Sequence, residues 1–132
     1  MKHIILSIAL FVAGALYANA QTITEYNQKA ISNQSLTYDE YWNPTAQFTL
    51  KNLSNKTITN VEIVIYYSGY RSSDIFQPTT TCRTSTTIYP GAYGQLRFTF
   101  NCGDKRPQSF VITRIRYADG TVCQQSNNSY YY

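Results

Sequence analysis

Alternation of apolar and polar residues with a period of two constrains this chain more than any other feature. Along Thr45–Leu53, Ala46, Phe48 and Leu50 share one face while Gln47, Thr49 and Lys51 share the other. Along Gln95–Cys102, Leu96, Phe98, Phe100 and Cys102 fall on one side and Arg97, Thr99 and Asn101 on the opposite one. Successive side chains of a strand point to opposite faces, so this pattern suits a sheet packed on one side and wet on the other. Ile58–Tyr67 is the most apolar segment. Val61, Ile63, Ile65 and Tyr67 form one face, and Val64 and Tyr66 flank Glu62 on the second, which predicts a central strand rather than an edge.

Four further segments read as strands. Leu36–Trp42 would set Tyr38, Glu40 and Trp42 on one face until Asn43-Pro44 ends it, because proline has no ladder donor. Thr79–Ile88 is rich in threonine, Phe110–Tyr117 points Ile115 and Tyr117 inward, and Thr121–Gln125 returns after the Ala118-Asp119-Gly120 turn. Within Phe110–Tyr117, Arg114 and Arg116 face outward, yet Phe110 and Ile112 share their parity. That mismatch predicts a bulge or a half-covered face. Turn clusters stand at Asn52–Lys56, Ser68–Pro78, Pro90–Gly94 and Gly103–Pro107. About seven short strands with no helical pattern predict an all-β fold, an antiparallel immunoglobulin-like β-sandwich, with a small barrel as the alternative.

The ends of the chain differ from this centre. Residues 1–20 carry Lys2, an apolar run from Ile4 to Tyr17 and the small triplet Ala18-Asn19-Ala20, the layout of a secretory signal peptide cut before Gln21. The run is shorter than the roughly 20 residues that cross a bilayer, and no second run follows, so no membrane span is expected. The expected domains are therefore the leader 1–20, a loose N-terminal arm 21–35 with at most one short edge strand, a sandwich over 36–125 and a Tyr-rich tail 126–132. Export to the periplasm, the cell surface or the medium follows.

Loss of the leader would remove the only histidine, His3, and the only methionine, Met1. A chain without imidazole has no Ser-His-Asp or Cys-His catalysis and no His-ligated metal. Gly-x-Ser-x-Gly, Ser-x-x-Lys, Cys-x-x-Cys and a glycine-rich phosphate loop are also missing. Asp39 and Glu40 are neighbours that a strand would send to opposite faces, unlike a glycosidase pair facing across about 5–9 Å. No enzyme, cofactor or metal is expected. Eleven basic residues less Lys2 stand against seven acidic ones, leaving +3. So small a charge argues against nucleic acid, and Arg97, Arg114 and Arg116 are read as keeping outer sheet faces soluble.

Three cysteines remain, Cys82, Cys102 and Cys123. Cys82 and Cys102 are equidistant from residue 92 inside the Pro90–Gly94 turn, so a hairpin would set them opposite each other. The expected disulfide is Cys82–Cys102, worth roughly 3 kcal/mol from loop closure, with Cys102–Cys123 as the alternative. Cys123 is then left over, either as a buried inert thiol or as the bridge of a covalent dimer.

The phrases FTLKNLSNKTITNVEIVIYY, IYPGAYGQLRFTF and ITRIRYADGTV, spread over residues 45–123, together resemble the FxLYD-type and related small immunoglobulin-like domains exported by bacteria. The chain departs from that pattern at Tyr67-Ser68, where Tyr-Asp is expected, and at Cys123, where an aromatic is frequent. The resemblance implies fold and export. It carries over no functional residue.

Candidate binding residues are aromatic. Tyr38, Tyr41 and Trp42 can stack on sugar rings or anchor a protein partner, although the expected place of Trp42 is the core, with one tyrosine beside it. Tyr70 and Arg71 lie in the long Ser68–Pro78 loop, whose Tyr, Ser and Gly give it a paratope-like composition. The expected function is a non-enzymatic exported module that binds a protein or glycan through Tyr38, Trp42, Tyr70 and Arg71. The alternative is an assembly subunit that adds its arm 21–35 or its tail to a neighbour's sheet edge. Asn33, Asn52, Asn55 and Asn127 begin Asn-x-Ser/Thr sequons, read as accidental.

Overall fold

The computed structural model describes residues 21–68, 79–103 and 105–125. Among them, seven antiparallel strands form two sheets. One has the order β1 (Ile31–Tyr38), β2 (Pro44–Lys51), β5 (Tyr93–Thr99); the other has β4 (Thr79–Ile88), β3 (Ile58–Tyr67), β6 (Pro107–Tyr117), β7 (Val122–Gln124). This is the expected all-β, immunoglobulin-like sandwich. The leader 1–20, the tail 126–132, Tyr70 and Arg71 lie outside the described residues.

The alternating segments bury the faces their parity assigns. Ala46, Phe48 and Leu50 of β2 with Leu96 and Phe98 of β5 meet Val61, Ile63 and Ile65 of β3 and Ile112 and Ile115 of β6. Burying side chains of this size stabilises by roughly 1.5–3 kcal/mol each. β3 runs between β4 and β6, and its second face, Glu62, Val64 and Tyr66, is half-buried, as a central strand requires. The parity conflict in β6 resolves as a bulge. Glu62 pairs with Arg114 while Ile63 pairs with Ile112, so Thr113 is the extra residue. That one insertion turns Ile112 and Phe110 inward and leaves Arg114 outward.

Residues 21–35 are not a loose arm. Thr22 caps a short helix, α1 (Ile23–Glu25), its hydroxyl accepting from the Glu25 N–H at 3.1 Å. A single π-helical turn, Tyr26–Ala30, follows and leads directly into β1. Ile23, Tyr26 and Ala30 are buried in the core. Their 3–4-residue spacing is helical, but ten residues are too few for that period to stand out from noise. The strand expected over Leu36–Trp42 is accordingly displaced. β1 starts at Ile31, passes an irregularity where Asn33 has φ of 52°, and stops at Tyr38.

Asn27 joins this N-terminal turn to the sheet. Its amide Nδ2 donates to the Ile112 carbonyl at 2.9 Å, and its Oδ1 accepts from the Ile112 N–H at 2.9 Å. β7 pairs only with Arg114–Arg116, so Asn27 acts as a one-residue strand where β7 has stopped.

The expected disulfide is not formed. Cys82, Cys102 and Cys123 are free thiols. The Pro90-Gly91 turn is present, with Gly91 at φ 74° and the Ala92 N–H on the Tyr89 carbonyl at 2.9 Å. It is an arch between sheets, however, not a hairpin within one: β4 pairs with β3 and β5 with β2. Cys82 therefore lies opposite Ile63, and Cys102 falls beyond the end of β5. Cys123 is buried, and its thiol donates to the Gln21 carbonyl at 3.2 Å. Burial pushes the thiols of Cys82 and Cys123 up in pKa, which favours the protonated thiol over the nucleophilic thiolate.

At the end of the sandwich away from the β1–β2 turn, Tyr26 and Tyr117 join hydroxyl to hydroxyl at 2.9 Å, and the Tyr26 hydroxyl also reaches Asn52 Oδ1 at 3.4 Å. Burial raises the pKa of both phenols, and for Tyr117 the bond to Tyr26 raises it further. An upward shift means the folded state holds its protons more tightly than the unfolded chain. The stabilisation is complete below the unfolded value of about 10 and is lost as pH climbs through the folded values. Urea unfolding followed by circular dichroism should therefore show stability falling above about pH 10. Tyr26→Phe with Tyr117→Phe should remove most of that slope; an unchanged slope would assign it elsewhere.

Candidate functional site

The chain reverses between β1 and β2 through Asp39-Glu40-Tyr41-Trp42-Asn43. Asp39 organises the turn because a short carboxylate can accept from backbone N–H groups two and four residues ahead. It takes the Tyr41 N–H at 2.9 Å and the Asn43 N–H at 2.8 Å, with the Asn43 side-chain amide at 3.4 Å. Two backbone bonds close the loop: the Trp42 N–H to the Asp39 carbonyl at 3.0 Å and the Asp39 N–H to the Asn43 carbonyl at 2.9 Å. The Asn43 and Tyr41 N–H bonds hold the Asp39 carboxyl below the usual carboxylate range, so it stays charged and keeps gripping them.

Trp42 takes the left-handed conformation at φ 63°. Glycine or asparagine is the relaxed choice there; a bulky residue is destabilised by roughly 1–2 kcal/mol. The tryptophan is 81% exposed, Tyr41 74% and Tyr38 48%. Trp42 thus does not fill the core as its composition implied. The core is closed by aliphatic residues and by Phe48, Phe98 and Phe110, and the positive φ turns the indole outward. Tyr38 and Trp42 lie together, ring centroids 6.3 Å apart and planes tilted by 51°.

β1 approaches the turn alongside the start of β6, where Leu36 and Phe110 line one depression, and the Ser68 N–H donates to the Arg106 carbonyl at 2.8 Å. Of the four residues singled out from sequence for binding, the structure brings together Tyr38 and Trp42. Tyr89 and Tyr93 at the opposite end were not singled out; they are 65% and 66% exposed, with Lys51 Nζ 5.7 Å from the Tyr93 ring. Both flank the Pro90-Gly91 arch, and only the sheet change there throws them outward. Among the described residues, no three His, Cys, Asp or Glu side chains are placed to hold a metal ion. No described helix is long and apolar enough to cross a membrane.

Comparison with protein-family models, with curated proteins and with solved structures finds no match to this chain. The functional reading therefore rests on the geometry alone. Two exposed rings tilted by 51°, on a turn fixed by five hydrogen bonds, offer apolar faces with a hydroxyl and an indole N–H at their rim. Such a surface can cover a sugar face or seat in a protein pocket.

Proposed function

We propose that this protein is a non-enzymatic exported module that binds a protein or glycan partner through the β1–β2 turn, with Trp42 as anchor and Tyr38 and Tyr41 beside it. One observation carries the reading: the chain's single tryptophan is turned out to solvent on a backbone conformation that works against stability. Strain of this kind persists where the presented side chain serves a purpose other than folding. The leader-like residues 1–20 and the resemblance to exported immunoglobulin-like domains support export.

Glycan arrays and pull-downs with the purified protein supply the partner, and Trp42→Ala then tests the site. Loss of an exposed aromatic anchor should weaken binding roughly thirtyfold or more. Trp42→Gly should do the same while raising unfolding stability by about 1 kcal/mol, because glycine relaxes the positive φ. Binding unchanged in both variants would remove the turn from the function.

A further inference from the structure

The outer face of the four-stranded sheet carries a second, separate arrangement. Register sets Glu62 of β3 between Arg83 of β4 and Arg114 of β6. In the next row Asn60 lies between Ser85 and Arg116, its amide 3.3 Å from the Ser85 hydroxyl. A depression of about 130 Å³ is lined by Asn60, Val61, Glu62, Arg83, Arg114 and Arg116.

The charges there do not cancel. One Glu62 oxygen takes the Arg83 guanidinium at 2.9 Å, and the other accepts from the Thr113 hydroxyl at 3.4 Å. Glu62 is the sole acid among the described residues of that face, so three guanidiniums against one carboxylate leave +2. Arg114 and Arg116 stand two residues apart on one strand, roughly 7 Å along it. The bulge at Thr113 leaves both outward, beside Glu62. Solubility alone does not require such crowding: the three-stranded sheet is wetted by Gln47, Thr49 and Gln95, and its cations are spread out, with Arg97 opposite Gln47 and Lys51 four residues further along β2.

We propose that this face binds a carboxylate-bearing sugar of an acidic polysaccharide. A guanidinium presents two parallel N–H donors that match a planar carboxylate, and the single Arg83–Glu62 contact shows that this face already holds a carboxylate against a guanidinium. Arg114 and Arg116 take the sugar's acid group, and the Asn60 amide and Ser85 hydroxyl beside them take ring hydroxyls. A patch of +2 is too small for tight binding to a phosphodiester backbone, which draws its affinity from many neutralised phosphates. Nothing here depends on Trp42, which lies on the other sheet's turn, so the two sites fail or succeed separately.

The test is affinity electrophoresis and calorimetry of the purified protein with polygalacturonate, and with dextran, dextran sulfate and duplex DNA as separate arms. Polygalacturonate should bind and dextran should not. Arg114→Gln and Arg116→Gln should each weaken binding about tenfold, while Arg97→Gln, which removes the same charge from the opposite sheet, should leave it unchanged. Glu62→Gln should strengthen binding roughly threefold, because it frees Arg83 and deletes the opposing charge. Circular dichroism melts confirm that each variant is folded. Absence of polygalacturonate binding, tighter binding of dextran sulfate or DNA, an equal loss in Arg97→Gln, retained affinity in the Arg114 and Arg116 variants, or a loss in Glu62→Gln would each overturn the assignment.

Discussion

Asn52→Ala should lower the unfolding free energy by about 3–5 kcal/mol, a large share of the stability of a small domain. Asn52 is 1% exposed, and its side chain ties three segments together. The amide donates to the Lys56 carbonyl at 2.6 Å and to the Ile88 carbonyl at 2.9 Å. The oxygen accepts from the Ser54 N–H at 2.9 Å, the Ser54 hydroxyl at 2.7 Å and the Tyr26 hydroxyl at 3.4 Å. Alanine strands the Ile88 carbonyl and the Ser54 N–H, while the Lys56 carbonyl keeps the Ser54 hydroxyl at 3.0 Å and the Tyr26 hydroxyl keeps Tyr117; each stranded buried group costs about 1–3 kcal/mol. Urea unfolding followed by β-sheet circular dichroism is the measurement. Tryptophan emission would report poorly, since Trp42 is already in water. A loss under about 1 kcal/mol would show that the loop re-forms its bonds another way.

Phe48→Ala should cost a similar amount, about 3–5 kcal/mol, by a different route. Phe48 on β2 is 2% exposed and stacks on two rings. Phe98, on the adjacent β5, lies 5.9 Å away with planes 12° apart; Phe110, on β6 of the facing sheet, lies 5.1 Å away with planes 27° apart. One side chain thus links neighbours within a sheet and across the core. Truncation removes the ring's burial and opens a cavity that two strand-bound neighbours cannot collapse to fill. Phe48→Leu should recover about half the loss, since it refills the volume but not the stacking. A cycle with Phe110→Ala should give a coupling of about 0.5–1.5 kcal/mol. Additive losses would mean that the rings touch without contributing beyond area.

Much of this fold was legible in the sequence, for a reason particular to it. Where one face packs and the other is wet, register is written into every second residue, so β3 and β4 were bounded correctly and the Thr113 bulge showed as a parity conflict in β6. Ile23–Ala30 was not legible, because one turn of α-helix and one of π-helix are shorter than the window in which their period can be seen. Nor was Asn52, whose residue type in an Asn-Leu-Ser-Asn run reads as turn or sequon while its bonds run to residues 26 and 88. The cysteine pairing failed because symmetry about a turn implies contact only when both strands join one sheet. At the candidate site the residue types were visible and the exposure was not. Trp42 follows a strand-like pattern, and the Asp39 bonds that end β1 are long-reach within the loop rather than periodic.

Asn27 has a consequence that reaches outside the fold. A β-strand with one side open is an adhesive strip, and copies of a protein that share such a strip tend to stack into fibres. Here the last strand ends after three residues, and a carboxamide delivered from the front of the chain seals the next step of its neighbour. Protection of this edge against self-templated growth therefore depends on residues 21–30 being docked. A molecule clipped ahead of Ile31 would lose that seal along with Ile23, Tyr26 and Ala30, while every strand's sequence stayed intact.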